Sequence, residues 1–181
     1  FLQRDLGEAL GRESEFDFIW MRFVLEYYRS TSFEVVGKLA RYLKPGGILC
    51  LLDLDHNQTN FYGSPARLER TLRKIMRILQ EQFDFDPYAG RKFYSYLYDL
   101  GFTDIDVTVE IYKLIFGPVN ELDIFNTMKK VEVIPRKINY NFEEYVGGYE
   151  EFYQEAMAYY SDPRRFSYTP LVICRGAKPL S

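Results

Sequence analysis

The sequence predicts an α/β domain built on a mostly parallel sheet, and three features carry that prediction. Residues 16–21 (Phe-Asp-Phe-Ile-Trp-Met) and 48–52 (Ile-Leu-Cys-Leu-Leu) are short, nearly continuous apolar runs. Strands covered on both faces of a parallel sheet have this composition. Between them, Val35, Val36, Leu39, Ala40 and Leu43 recur at helical spacing. Lys44-Pro45-Gly46-Gly47 then stops the helix and turns the chain back toward the sheet. Strand, helix and strand in this order make a βαβ unit with a right-handed crossover.

The remaining elements follow along the chain. Ser64 is placed to cap a helix with Pro65 at its first position and Leu68, Leu72, Ile75, Met76 and Leu79 on one face. Residues 91–100 read as a further helix stopped by Gly101. From 104 to 112, Ile105, Val107, Val109 and Ile111 alternate with Asp106, Thr108 and Glu110, which predicts a strand with one wet face near a sheet edge. The last strand is expected at 168–174. The stretch before it is too long for a plain loop. It is expected to form a helical insertion at 114–166 within a single domain spanning 1–181. There, Asn120 caps a helix to about residue 131, and Asn141 with Glu144 forms a capping box for a second. Phe142, Tyr145, Tyr149, Phe152 and Ala156 would share one face of that second helix, with Gly147-Gly148 bending it from inside.

Composition bounds the functional classes. A chain of 181 residues suits one sizeable core, and 47% hydrophobic with 27% charged residues is ordinary for a globular protein. A net charge of -3 gives no general attraction to nucleic acid or anionic membranes, so neither is expected as a partner. The run 48–52 is far too short to span a bilayer, and 1–10 does not read as a signal peptide. Cys50 and Cys174 lie in apolar runs and read as buried reduced thiols, so a cytoplasmic location is the default expectation. Aromatic residues reach 18%, many of them in the last third. The chain opens with Phe1 in what reads as the tail of a strand, and it is not expected to start where the natural protein starts.

Four segments, in order, carry a family resemblance. Phe16-Asp17-Phe18-Ile19-Trp20-Met21 leads into Leu25-Glu26-Tyr27, Leu43-Lys44-Pro45-Gly46-Gly47 precedes a strand ending in Asp53, Gly101-Phe102-Thr103-Asp104 precedes the alternating strand, and Phe1-Leu2-Gln3-Arg4-Asp5 resembles a strand end. Together they resemble class I S-adenosylmethionine-dependent methyltransferases, with Tyr27 where that family usually has His. The resemblance implies a Rossmann-like sheet with an antiparallel last strand, and S-adenosylmethionine as cofactor. It implies that Asp5 accepts a hydrogen bond from the adenine amino group, that Leu6 lines the ring, and that Met21, Arg22 and Phe23 wall the methionine part. The family's glycine-rich loop and ribose-binding acid have no counterpart here. The sequence is therefore expected to hold the later part of the domain and to be inactive alone.

For the chemistry, His56 is the only histidine and follows the expected fifth strand of the family, so it is the candidate general base. Asp55, beside it, and the aromatic residues Tyr145 and Tyr149 are candidate substrate contacts, with Tyr140 and Phe152 alongside. The aromatic row reads either as a substrate lid or as core. No cluster has metal-ligand spacing, so no metal is expected. The leading reading is methyl transfer to a small-molecule acceptor in the complete protein. The alternative is a non-catalytic methyltransferase-like domain that binds a protein or ligand through its aromatic insertion. A nicotinamide dehydrogenase is weaker, since the Lys44-Pro45-Gly46-Gly47 turn speaks against it. Strand 16–21 would leave an apolar edge, expected to be covered by a second protomer or a preceding segment.

Overall fold

In the computed structural model, residues 11–56 and 60–180 are described. They divide into two compact units: the first takes residues up to 55, 88–110 and 171 onward, the second 56–87 and 111–170. The second is larger than the insertion expected at 114–166, because the helix of 66–82 shares its apolar core.

The first unit grows from the βαβ signal. Strand β1 (Phe16–Arg22) lies parallel to β2 (Leu43–Leu54), in register from Phe18 against Ile48 to Arg22 against Leu52. Helix α1 (Ser32–Tyr42) connects them and buries Val36 and Leu39. The helix runs directly into β2 rather than through a separate turn, and the two glycines allow this. Gly46 takes φ 76°, and its N–H donates to the Lys178 carbonyl at 2.9 Å. A Cβ on Gly47 would stand 2.9 Å from the Lys44 carbonyl oxygen and 3.1 Å from that of Phe16, so only glycine fits.

The last strand, β5 (Phe166–Ala177), lies antiparallel to β2, from Ile48 against Ala177 to Leu54 against Leu171. Strand β4 (Thr103–Phe116) pairs with β5. Thr103 Oγ1 donates to the Ala177 carbonyl, and Asp106 faces Arg175 at 3.4 Å, so β4 runs against β5 and in the direction of β1 and β2. The sheet is thus mostly parallel with an antiparallel last strand. Helix α3 (Phe93–Asp99) packs one face with fully buried Phe93 and Leu97, and Gly101 ends it at φ 76°. Leu25, Leu43, Leu49, Leu51 and Cys174 complete this core. Each large side chain so buried contributes about 1.5–3 kcal/mol.

Coverage of both faces, expected for 16–21, is not what the described residues show. Phe18 and Trp20 are 56% and 58% exposed, on the side of their register partners Ile48 and Cys50. Cys50 is accordingly only half-buried, whereas Cys174 is buried and its thiol is pushed up to about 11, chiefly by desolvation. Strand β4 also departs from expectation: Val107, Val109 and Ile111 are all exposed, and of that row Ile105 alone is packed against the core.

In the second unit, β3 (Phe61–Tyr62) pairs antiparallel with the start of β5. Helix α2 (Ala66–Gln82) buries Leu68, Ile75 and Leu79, but Ser64 does not cap it. Pro65 sits at the cap with an extended ψ of 137°, and the helix starts one residue later than expected. Helix α4 (Glu121–Lys137) does start as read, with the Asn120 side chain accepting from the Asp123 N–H at 2.8 Å. Helix α5 (Gly148–Ser161) does not. Residues 141–147 form no helix, the Asn141 amide donates to Glu143, and the Glu144 carboxylate binds Lys74 and the Tyr140 hydroxyl. The glycine pair therefore stands at the start of the helix, not inside it. Among the described residues no helix is long and apolar enough to cross a membrane.

Candidate functional site

At the carboxyl end of β1 the chain leaves the sheet through Arg22 and Phe23. The Phe23 N–H still donates to the Leu52 carbonyl at 3.0 Å, while its φ of 54° breaks the strand. Arg22 is exposed, and its guanidinium lies 4.5 Å from the centre of the Phe23 ring. Met21, the residue before, is 6% exposed and belongs to the core, so its side chain is not a free wall of a pocket. A single 3-10 turn follows at Leu25–Tyr27, anchored by buried Leu25.

That turn is pinned by Asp53 from the end of β2. The Asp53 carboxylate is fully buried and accepts from the Glu26 N–H at 3.1 Å and the Leu54 N–H at 2.9 Å. Burial raises its carboxyl group to about 6, against the opposing pull of the backbone N–H groups. Buried Glu26 adds a second negative charge that raises it further. Burial, followed by Glu26, also pushes the Tyr27 hydroxyl up. Asp53 entered the sequence reading only as the end of a family motif, and Glu26 had no role in it. The available signal was an acid closing an otherwise apolar strand, which a buried carboxylate does only where N–H donors await it.

The other candidates are distributed more widely. Asp55 is held by Arg91 in a two-point ion pair of 2.7 and 2.9 Å, and Arg91 also lies 4.7 Å from the Tyr88 ring centre. Its carboxylate is engaged within the fold rather than open to substrate. His56 takes φ 50°, a left-handed turn immediately after the strand and its Asp55 extension. Asp5 and Leu6 lie outside the described residues. Among those that are described, no group of three His, Cys, Asp or Glu side chains is placed to hold a metal ion.

Tyr145 corrects the lid expectation. It is 4% exposed, its hydroxyl donates to Glu155 at 2.6 Å, and its ring carries the Arg67 guanidinium at 4.2 Å. Arg67 in turn binds Glu151 and Glu155. Arg67 thus ties α2 to α5, the Tyr145 hydroxyl joins the same carboxylate, and Tyr145 belongs to the core. Tyr149 is half-buried, edge-on to Phe142 at 5.6 Å and tilted against Tyr153 at 5.8 Å. An open concavity of this unit lies elsewhere: a cleft of about 500 Å³ between α4 and α5, floored by Ile124, Met128, Tyr153 and Met157. Met128 is itself buried, and Ile124, Tyr153 and Met157 pack against the same core, so in sequence these residues read as core.

No protein-family model matches the chain, and no curated protein matches it. Solved structures do. A Bacillus halodurans C-125 protein assigned as a methyltransferase superposes on 98% of the chain with a TM-score of 0.52 at 15% identity. Haemonchus contortus phosphoethanolamine N-methyltransferase 2, bound to phosphomonomethylethanolamine and S-adenosylhomocysteine, covers 97% with a TM-score of 0.47 at 16% identity. The chain spans 70% of the first structure's length and 36% of the second's. With β1 and β2 parallel and an antiparallel β5 inserted between β2 and β4, the chain has the class I S-adenosylmethionine-dependent methyltransferase fold.

Proposed function

We propose that the complete protein transfers a methyl group from S-adenosylmethionine to a small-molecule acceptor. One observation supports this above others: the carboxyl ends of β1 and β2, where open α/β sheets bind ligands, are fixed by the buried Asp53 clamp on the turn after Phe23. The groups there suit part of the cofactor. Arg22 offers a cation to the methionine carboxylate and Phe23 a flat apolar ring, while Asp5 and Leu6 are assigned to the adenine side. Bound S-adenosylmethionine would supply a methyl group already activated by its sulfonium. What this chain's residues add is alignment and exclusion of water. His56 is assigned as proton acceptor for an acceptor that must lose a proton, and Tyr149 as a contact for the acceptor.

The second reading is a non-catalytic methyltransferase-like domain that binds a protein or ligand through its aromatic insertion, and the cleft there, lined by Phe125, Met128, Tyr153 and Met157, supports it. Calorimetry of S-adenosylhomocysteine with the full-length gene product separates the two. Micromolar binding that Arg22→Ala weakens by about tenfold, the loss of one charged hydrogen bond, supports methyl transfer. His56→Ala should then lower turnover while leaving that affinity unchanged. A full-length product that binds no S-adenosylhomocysteine ends the enzyme reading.

A further inference from the structure

Helices α4 and α5 run antiparallel in the second unit. Buried Arg165 ties the segment before α4 to the end of α5, its Nη1 donating to the Gly117 carbonyl at 3.0 Å and the Asp162 carbonyl at 2.8 Å. At the other end, the Arg136 guanidinium of α4 lies 5.2 Å from the ring centre of Tyr149 in α5. Along α4 the cleft between them is lined from Glu121 to Glu132, a rise of about 16 Å. Tyr153, Met157 and Ser161 of α5 line the other side. The volume of about 500 Å³ falls in the range of small-ligand sites, and the two methionines let the apolar floor adapt to shape. Phe125, on the α4 side, is 63% exposed.

The charged side chains that line the cleft all come from α4: Glu121, Lys129 and Glu132. At the far end, Lys129 and Arg136 both bind the Glu132 carboxylate, at 2.9 and 3.1 Å, so its charge is answered within the helix. Glu121, the first residue of α4, has no ion-pair partner among the described residues, and Lys113 nearby is engaged by Asp123 at 3.3 Å. Ser161, the last residue of α5, donates its hydroxyl to the Met157 sulfur at 3.7 Å, which leaves its oxygen lone pairs as acceptors. Because Arg165 joins these two helix ends, Glu121 and Ser161 share one end of the cleft. That end presents acceptors beside an apolar trough, the complement of a group with N–H donors and a positive charge. The helix dipole favours an acid at the start of α4, but it asks for no apolar cleft beside that acid.

We propose that the α4–α5 cleft binds an elongated apolar molecule ending in a protonated amine, with the ammonium group on Glu121 and Ser161 and the apolar body along Phe125, Met128 and Met157. Such binding goes beyond the methyl-transfer reading and requires no cofactor, so either can fail without the other. The test is calorimetry of the full-length gene product with octylammonium, octan-1-ol and octanoate at matched ionic strength. Octylammonium binds saturably and about tenfold or more tighter than the alcohol, as expected for a charge-assisted hydrogen bond, and octanoate binds no tighter than the alcohol. Glu121→Gln, a change at an exposed position, brings octylammonium down to the level of the alcohol. Glu150→Gln, at an exposed acid outside the cleft lining, leaves the preference in place. Phe125→Ala removes part of the apolar wall and weakens octylammonium and octan-1-ol alike, by about threefold or more. Equal binding of ammonium and alcohol by the unmodified protein, or no saturable binding, overturns the proposal even if a variant does not fold. So does octanoate binding as tight as that of octylammonium, or a folded Glu121→Gln protein that keeps the preference. A preference lost equally in Glu150→Gln reflects overall negative charge, and undiminished binding by folded Phe125→Ala places the apolar body outside the cleft. Either result overturns it as well.

Discussion

The two units bury their apolar surface with different chemistry. The first core is largely aliphatic, with Leu25, Val36, Leu39, Leu43, Leu49 and Leu51 enclosing a strand pair. The second is aromatic: Phe142 and Phe152 meet at 4.8 Å between ring centres, and Tyr145 meets Phe152 at 5.6 Å. Tyrosine brings a hydroxyl wherever its ring is buried, and a buried hydroxyl requires a partner. The second unit therefore commits Glu155 to Tyr145 and Glu144 to Tyr140, and Arg67 and Lys74 to those carboxylates. An aliphatic core makes no such demand. Clustered tyrosines near charged residues thus resemble a binding surface in sequence while serving to join helices.

The largest test of this contrast is Phe152→Ala. Phe152 is fully buried, so truncation should cost about 3–5 kcal/mol. Trp20 is the only tryptophan and reports the first unit, whereas far-ultraviolet circular dichroism is weighted toward the long helices α2, α4 and α5. The helical melting transition should fall by more than the Trp20 transition. Equal shifts would show the units unfolding as one cooperative block, and the contrast would lose its energetic meaning.

A smaller effect isolates Asp53, the fully buried carboxylate of the first unit. Asp53 is raised from 3.8 to about 6 in the folded protein. An acid raised in this way contributes stability that is full below its unfolded value and is lost as pH rises through the folded one. From about pH 3 to about pH 7 the unmodified protein should therefore lose about 3 kcal/mol relative to Asp53→Asn, which has no proton to release. Denaturant titrations at each pH give the difference directly. A difference independent of pH would mean the carboxylate is not desolvated.

The smallest expected effect concerns where the second unit's aromatic helix begins. Gly148 has φ 61° at the first residue of α5, with open space around a would-be Cβ. Gly148→Ala should cost about 1–2 kcal/mol through backbone strain alone. A stabilised variant would mean that the residue is helical and that α5 extends through it.

Legibility in the sequence followed the range of the forces involved. Helices α1 and α2 and strands β1 and β2 were readable because apolar periodicity within one segment decides them. The Asn120 cap was readable because its acceptor and donor are three residues apart. The Asn141–Glu144 capping box failed for the opposite reason: Lys74, from another helix, binds Glu144 and draws that side chain away from a local role. Of the candidate site, the ends of β1 and β2 were legible through motif order. The engagement of Asp55 by Arg91 and of Tyr145 by Glu155 was not, since both partners lie at least ten residues away.

By itself, then, the sequence determined the α/β class, the βαβ start, the antiparallel last strand through family resemblance, and the glycine pair that lets α1 pass into β2. Tertiary structure alone decided that Asp53 is buried on backbone donors and that Tyr145 is core. It also decided that Arg165 keeps a donor with no acceptor among the described residues and that a cleft opens between α4 and α5. The physical reason is common to these four. Periodicity reports which side of an element avoids water, but the cost of a buried charge or hydroxyl is set by which donors and acceptors distant segments bring to it.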